Sequence, residues 1–312
     1  MWVRRYQGAA LALALDENGN VYVTGHTWGV NSPDYATIKY SPTGDTLWVR
    51  RYAGPGDKDD RASTLTVDKN GDVYVGGSSG TIKYLSNGDL AWIRTEAIGS
   101  LSLDNTGSLY IVGTLTGIGG TYDYSAIKYS PNGDTSWARS YNGPDNDEDI
   151  TSALALDENG NLYVTGSSVS SKTCSDYVTI KYSPNGDVLW IKQYDDPYGF
   201  CERPTDLAVD KGGAVYVSGY SGFWEPSQYD WVTVKYFQCF AKPGDADGDS
   251  TIQISDIVTI INYLFKEQPV LNPSCRGDVN ADGKVLLSDI VYLINYLFKS
   301  GPTPLKSKEC CL

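Results

Sequence analysis

An internal repeat that runs through most of the chain constrains its fold more than any other feature. An apolar run ending in Asp, a turn and a Val-rich strand occurs five times, beginning at Ala12, Thr64, Ser100, Ala153 and Asp206. Each copy is followed by a segment of the type TIKY, and four copies continue into a tryptophan segment such as LWVRRY. Four short strands per unit, bounded by turn residues at regular spacing, are typical of a β-propeller blade. The sequence therefore predicts an all-β propeller of five four-stranded blades.

The fifth unit lacks a tryptophan segment, because Tyr236 runs directly into FQCFAKPGD. The missing segment occurs at the start of the chain, where residues 2–6 repeat residues 48–52 letter for letter. We therefore expect the N-terminus to supply the outer strand of the last blade and to close the ring, which removes exposed sheet edges. A longer ring whose first blades precede Met1 fits the same pattern and stays open as an alternative. Residues 2–236 resemble the bacterial β-propeller repeat family.

The charge of the chain limits the classes of partner it can bind. Lys and Arg number 25 against 38 Asp and Glu, a formal net charge of −13, so the phosphates of nucleic acid would be repelled. No apolar run approaches the roughly 20 residues that cross a bilayer, and the opening MWVRRYQGAA lacks the apolar segment of a signal peptide. We predict a soluble chain with a monomeric propeller, no nucleic-acid partner and no membrane span.

The two faces of the predicted propeller differ in their loops. Turns such as DENGN and SPNGD are short and nearly identical, which indicates a structural role. The opposite face carries longer, variable connections with aromatic side chains, so we place any ligand site there. Carbohydrate is an open alternative as ligand, since aromatic rings can stack on sugars. The candidate aromatic residues are Trp28, Phe200, Phe223 and Trp224.

Acidic and basic residues recur once per blade. The acids at one equivalent position, shortly before the inner strands, are Asp60, Glu96, Asp149 and Glu202. They could form the carboxylate pair of a glycan-degrading enzyme, a glycoside hydrolase or polysaccharide lyase, or a cation site; alternatively they cap the connectors by accepting backbone N–H bonds. Recurrence favours the structural interpretation and a non-catalytic propeller. The lysines of the TIKY segments suggest a second recurring feature, a charge pair with acids such as Asp34.

The composition changes after Cys239 from alternating strands to helix-forming apolar segments, which predicts domains at residues 1–238 and 239–312. Two loops, 33 residues apart, place oxygen ligands at positions one, three, five, seven, nine and twelve, the pattern that wraps one calcium ion each. The predicted ligands of the first ion are Asp245, Asp247, Asp249, the Thr251 carbonyl, Gln253 and Asp256. Those of the second ion are Asp278, Asn280, Asp282, the Lys284 carbonyl and Asp289.

Each loop leads into a similar amphipathic helix, predicted to start at Asp256 and at Asp289. A twelfth-position Asp, an exiting helix and no entering helix make residues 244–299 closely resemble a type I dockerin. The resemblance implies calcium-dependent binding to a cohesin domain on a scaffold protein or cell surface. The recognition residues that it implies are Ile254, Ser255, Ile261, Asn262 and Lys266, or the symmetric set Leu287, Ser288, Ile294, Asn295 and Lys299. Ser250 departs from the Gly usual at loop position six, which predicts weaker binding at the first loop.

The six cysteines show no C-x-x-C spacing, which favours disulfides and an exported protein. Cys174 and Cys201 fall on one face of the predicted fourth blade, so we predict a bridge between them. The pairing of the other four stays open: Cys239, Cys275, Cys310 and Cys311. Together these features predict a secreted or cell-surface protein whose propeller is attached to a cohesin-bearing assembly, with a glycan-degrading enzyme as the alternative.

Overall fold

The computed structural model describes residues 1–56, 58–96, 98–116, 120–169, 174–222, 229–236, 244–247, 251–266, 271 and 276–305. Contacts between Cα atoms divide the chain into two units, Met1–Lys235 and Tyr236–Leu312. The boundary predicted between residues 238 and 239 lies outside the described residues. None of the described helices combines the length and the apolar composition that a membrane crossing requires.

Five antiparallel sheets follow one another along the first unit, four with four strands and the last with three described strands. The first three sheets consist of β1 (Ala9–Leu15), β2 (Val21–Trp28), β3 (Pro33–Tyr40), β4 (Thr46–Tyr52); β5 (Ala62–Val67), β6 (Val73–Gly77), β7 (Gly80–Tyr84), β8 (Leu90–Arg94); and β9 (Ser100–Leu103), β10 (Leu109–Thr116), β11 (Tyr122–Tyr129), β12 (Thr135–Tyr141). The last two consist of β13 (Asp149–Leu156), β14 (Leu162–Val169), β15 (Ser175–Tyr182), β16 (Val188–Tyr194); and β17 (Cys201–Val209), β18 (Val215–Gly222), β19 (Tyr229–Tyr236). The prediction of consecutive β-propeller blades followed by helices is confirmed.

The N-terminal segment does not form the predicted fourth strand of the last blade. Residues 1–8 have no strand pairing, and the sheet of β17–β19 has three strands among the described residues. Trp2 instead contacts the first blade: its indole N–H donates to the Pro42 carbonyl at 3.1 Å, and its ring lies 5.8 Å from that of Tyr40. Trp48 makes the same pair of contacts with the second blade. Trp2 therefore contacts the first blade as the tryptophan of an outer strand contacts the blade that follows it. Residues 2–6 do not pair with β19.

The hydrophobic core of the first unit lies between consecutive blades. At the junction of the third and fourth blades, Tyr110 and Trp137 pack with Leu162 and Tyr182. Polar atoms of the same rings also bridge the blades, since the Tyr110 hydroxyl donates to the Gly160 carbonyl at 3.2 Å. Each aromatic strand thus serves its own sheet and the interface with the next sheet.

A β-bulge recurs at the start of the inner strand in four blades. The register shifts between Ala10 and Ala12, Ala62 and Thr64, Thr151 and Ala153, and Pro204 and Asp206. Bulges bend a strand and re-aim neighbouring side chains. In three blades the bulge begins two residues after one of the predicted acids, Asp60, Asp149 or Glu202.

The second unit contains the helices α1 (Ile254–Lys266) and α2 (Leu287–Lys299). They begin two residues before the predicted starts. The cause is visible in α2, where the Asp289 carboxylate accepts the backbone N–H of Leu286 at 2.8 Å and so stabilises a turn ahead of itself. Ile260 and Leu293 are the centre of the core that the two helices share. The chain after α2 returns to this core, since the Leu305 N–H donates to the Val279 carbonyl.

Candidate metal centre and docking surface

The first predicted calcium loop brings three of its carboxylates together. Carboxylate oxygens of Asp245, Asp247 and Asp256 lie within 4.8 Å of one another, with Asp245 and Asp256 buried and Asp247 exposed. Asp256 is fixed by the backbone, because its oxygens accept the N–H groups of Asp247 and Gln253 at 3.2 and 2.8 Å. Thr251 and Gln253 are exposed, whereas the predicted ligand Asp249 and the neighbouring Ser250 lie outside the described residues.

The second loop repeats the backbone contacts of the twelfth-position aspartate, but its described aspartates Asp278, Asp282 and Asp289 do not converge within 4.8 Å as those of the first loop do. Asp289 Oδ1 accepts the N–H groups of Val279 and Asn280, at 2.7 and 3.1 Å, so the twelfth-position carboxylate holds the loop against α2. Asp278 accepts the N–H of Asp282 at 3.0 Å, and Asp282 in turn accepts that of Lys284 at 3.0 Å. These hydrogen bonds fix the backbone of the loop next to side chains that the sequence predicts as ligands.

The chemistry of these side chains fits calcium. Four loop carboxylates, Asp245, Asp256, Asp278 and Asp289, are buried although the surrounding donors are mostly neutral backbone N–H groups. Burial raises the pKa of Asp256 and of Asp289 above the usual range, because the charged form loses its hydration. A hard cation would compensate these charges, and an all-oxygen set is what calcium prefers.

Apolar side chains remain exposed on both helices. On α1 they follow helical spacing, and Ile254 and Phe265 have exposed fractions of 60% and 66%. The exposed residues of α1 are Ile254, Val258, Ile261 and Phe265, and those of α2 are Leu287, Val291 and Phe298, with Ile294 half-buried at the remaining position. Helical spacing in the sequence places Phe265 and Phe298 in the apolar stripes predicted to pack together, and neither Val258 nor Val291 was among the implied recognition residues. Their spacing of three and four residues from the selected positions is the signal that could have identified them.

The other implied recognition residues lie beside these apolar stripes. Lys266, Ser288 and Lys299 are exposed, and Ser255, Asn262 and Asn295 are half-buried. Each set therefore combines exposed apolar side chains with polar groups near the ends of its helix.

The recurring acids of the propeller lie at separate blade junctions. Asp60, Asp149 and Glu202 are buried, whereas Glu96 is exposed and accepts a hydrogen bond from the Tyr129 hydroxyl at 3.4 Å. The Gly54 N–H donates to Asp60 at 2.5 Å, and the Gly143 N–H donates to Asp149 at 2.6 Å. These two carboxylates thus hold the connectors that precede them, which is the capping role considered above.

The predicted ligand face of the propeller is described in part. Trp28 is exposed at the end of β2, and the ring of Phe200 lies 5.8 Å from that of Tyr198. Phe223 and Trp224 lie outside the described residues, as do the four cysteines whose pairing stayed open. The disulfide predicted between Cys174 and Cys201 is present, with a Cα–Cα distance of 4.8 Å. It joins the start of β15 to the start of β17.

Comparison with known families finds matches within each of the two units. Residues 243–298 match the dockerin type I domain. Residues 4–31, 47–81 and 143–171 match a family described as a beta-propeller repeat. No curated protein matches the chain.

The solved structures that match this chain do so at low sequence identity and low TM-score. A protein of unknown function from Bacteroides caccae is 13% identical over 68% of this chain and 72% of its own, with a TM-score of 0.41. PorZ, a surface component of the type-IX secretion system of Porphyromonas gingivalis, is 13% identical over 73% of this chain and 36% of its own, with a TM-score of 0.42. A glucose dehydrogenase is 12% identical over 73% of this chain and 81% of its own, with a TM-score of 0.41.

Proposed function

We propose that this chain is an exported protein in which a calcium-bound dockerin attaches a non-catalytic β-propeller to a cohesin domain of a scaffold or cell surface. The observation that carries the proposal is the pair of exposed apolar stripes on α1 and α2. Both stripes follow spacings of four, three and four residues, which places their members on one face of each helix. Soluble proteins seldom leave such faces uncovered, so a partner surface is the expected occupant.

The residues of the loops prepare these faces for binding. Calcium, when bound, supplies the positive charge that lets the loop carboxylates stay ionised in a buried place. Asp256 and Asp289 tie each loop to the first turn of its helix through backbone N–H groups. The same carboxylates would therefore bind two calcium ions, one per loop, and orient the stripes that follow.

Binding is tested by capture of the full chain on immobilised cohesin domains from the source organism, in calcium and in EGTA. We expect capture in calcium and its loss in EGTA. Because the two helices carry equivalent stripes, Ile254→Asp with Ile261→Asp should leave binding through α2, and Leu287→Asp with Val291→Asp should leave binding through α1. All four changes together should abolish capture.

Helical circular dichroism in calcium serves as the folding control for these variants, since every altered residue is exposed. A quadruple variant that folds and still binds cohesin would contradict the assignment of the stripes. Folded wild-type protein that captures no cohesin in calcium would overturn the proposed attachment.

The propeller is proposed as a binding or structural module because its recurring acids are engaged within their own junctions. Release of sugars from plant or bacterial polysaccharides by the full chain, lost in Asp60→Asn and Asp149→Asn, would show an enzyme instead. No release by the wild type is the result that we expect.

A further inference from the structure

Three blade junctions of equal length provide an internal comparison. In each junction a buried acid follows a Tyr at a separation of eight positions. The three pairs are Tyr52 and Asp60, Tyr141 and Asp149, and Tyr194 and Glu202. In the first two junctions a Gly follows the Tyr by two residues and donates its N–H to the acid. In the third junction the equivalent residue is Asp196.

This replacement removes the capping arrangement. A Cβ atom at Gly54 would lie 2.8 Å from Asp60 Oδ1, and one at Gly143 would lie 3.0 Å from Asp149 Oδ1. A residue with a side chain therefore cannot approach the acid as the glycines do. Glu202 Oε1 accepts a hydrogen bond from the Ser221 hydroxyl at 3.1 Å, but Glu202 Oε2 is buried with no hydrogen-bond partner among the described residues.

Two further carboxylates, and no described backbone N–H donor, lie beside Glu202 where the other junctions have the glycine donor. Asp176, at the start of β15, and Asp195, in the connector, contribute oxygens that lie with one of Glu202 within 4.8 Å of one another. Glu202 has an exposed fraction of 0% and Asp176 of 1%, whereas Asp195 is exposed. The Gln193 amide donates to Asp176 Oδ2 at 2.5 Å and fixes the direction of that carboxylate. The position of Asp195 is occupied by Ala53 and Asn142 in the other two junctions. Of the three junctions, only this one therefore has an acid at that position.

The cluster is electrostatically unfavourable without a counter-charge. Burial, followed by the charges of Asp176, Asp195 and Asp196, raises the pKa of Glu202 to about 7 despite the hydrogen bond from Ser221. Three converging carboxylates with one buried, unpartnered oxygen require either a proton or a cation.

We propose that Asp176, Asp195 and Glu202 bind a calcium ion at the junction of the fourth and fifth blades, independently of the C-terminal loops. The oxygen spacing is suitable, because two ligands on opposite sides of a calcium ion lie about 4.8 Å apart when each metal–oxygen distance is about 2.4 Å. An all-oxygen set of carboxylates favours a hard cation over softer metals such as copper and zinc. The exposed position of Asp195 leaves room for entry and for water ligands.

The ion would act together with the disulfide. Cys174 precedes Asp176 by two residues and Cys201 directly precedes Glu202, so the covalent bond and the ion link the same two strand starts, those of β15 and β17. The disulfide limits the distance between the strands, and the ion compensates the charges that this approach brings together.

The test measures bound calcium per full-length chain by equilibrium dialysis with radioactive calcium at about 1 mM free ion, where sites of extracellular affinity fill. We expect Asp195→Asn to bind one calcium fewer than the wild type. Asp147→Asn, an exposed acid in the connector between the third and fourth blades, is the matched control and should bind as many as the wild type. The difference does not depend on how many ions the C-terminal loops hold, because those loops are identical in all three proteins.

Thermal unfolding of Glu202→Gln separates the cation from a proton. If the ion binds, calcium should raise the unfolding temperature of the wild type by more than that of Glu202→Gln. If Glu202→Gln is more stable than the wild type to the same extent in calcium and in EGTA, Glu202 is a protonated carboxyl and the proposal is wrong. Equal calcium binding by the wild type and Asp195→Asn would overturn it as well.

Discussion

A buried carboxylate, amine and phenol recur together at the end of the inner strands. In the third blade, Asp104 Oδ1 accepts the N–H groups of Thr106 and Ser108, both at 2.9 Å, and closes the turn to β10. Its Oδ2 lies 3.5 Å from the Lys128 amine and 3.3 Å from the Tyr110 hydroxyl. The amine also lies 4.8 Å from the centre of the Tyr110 ring, within the range of a cation–π contact. One aspartate therefore links the turn, β10 and β11.

The sequence predicted a charge pair for these lysines but gave the wrong acid. Lys39 lies 3.9 Å from Asp16 at the end of β1, and the upstream Asp34 was the expected partner. The Asp16 position is acidic in all five units and the Asp34 position in four, so both recur, and only the fold decides which end of the hairpin the long lysine side chain reaches. Spacing in the sequence carries no information about that direction.

Replacing Asp104 by Asn should lower the free energy of unfolding by roughly 1.5–3 kcal/mol at pH 7, the usual net value of a hydrogen bond to a charged group. Burial alone would raise the pKa of Asp104, but hydrogen bonds from Thr106 and Ser108 and the charge of Lys128 outweigh it and lower the pKa. The ionised form is therefore favoured in the folded state. Its contribution is complete above the unfolded value of about 3.9 and is lost as pH falls through the folded value.

Chemical denaturation at pH 7 and below pH 3 measures this difference. The two proteins should differ at neutral pH and converge in acid. Asp134→Asn, an exposed acid in the next hairpin, is the control and should match the wild type at both values of pH. A difference between Asp104→Asn and the wild type that stays constant down to pH 2 would exclude the ionisation of Asp104 as its cause.

The tryptophan strands of the first three blades each contact a glycine of the next blade. Gly186 in the SPNGD turn of the fourth blade has φ +83°, and a Cβ atom there would lie 2.8 Å from the Trp137 ring of the third blade. The same close approach joins Trp2 to Gly44. The glycine of this turn is thus required twice, for its backbone conformation and for the ring that covers it.

Trp137→Ala should lower the free energy of unfolding by about 3–5 kcal/mol, as expected for a large side chain removed from a core. Trp2→Ala should cost roughly 1–2 kcal/mol, because this ring makes the same contacts but has an exposed fraction of 38% against 7% for Trp137. Denaturant unfolding of both variants gives the comparison. Equal losses would show that residues 2–6 are packed as firmly as a strand within the ring.

The elements differ in how far the sequence determines them. The hairpins of each blade follow from alternation and turn residues within about thirty residues, and they form as predicted. The pairing of residues 2–6 with β19 depends on contacts between opposite ends of the chain, and here the side chains of Trp2 and Tyr6 contact the first blade instead. Phe265 presents the same limit on α1, because helical spacing places it near the buried stripe and only packing leaves it exposed.

The candidate sites follow the same division. The predicted calcium loops are local motifs, so candidate ligands can be named from spacing alone. Glu202 could be named as one of a repeated set, but its association with Asp176 and Asp195 requires two strands and a connector to meet. That meeting is a property of the fold, although the exchange of a glycine for Asp196 marked this junction as different.

At the scale of the whole molecule, the two units carry separate spectroscopic signals. All eight tryptophans precede residue 236, whereas both long helices, of 13 residues each, follow it. Tryptophan emission therefore reports the propeller, and helical circular dichroism reports the C-terminal unit.

Removal of calcium should affect these two signals differently. The C-terminal unit is small and buries four loop carboxylates, so EGTA should unfold its helices and reduce the ellipticity at 222 nm. The core of the propeller lies between aromatic strands, so loss of the proposed ion at one blade junction should lower its unfolding temperature without unfolding it at 25 °C, and the emission maximum of tryptophan should stay unchanged. Restoring calcium should recover the helical signal. A red shift of the emission in EGTA would show that the propeller itself needs calcium to stay folded at this temperature, and an unchanged helical signal would show that α1 and α2 fold without calcium.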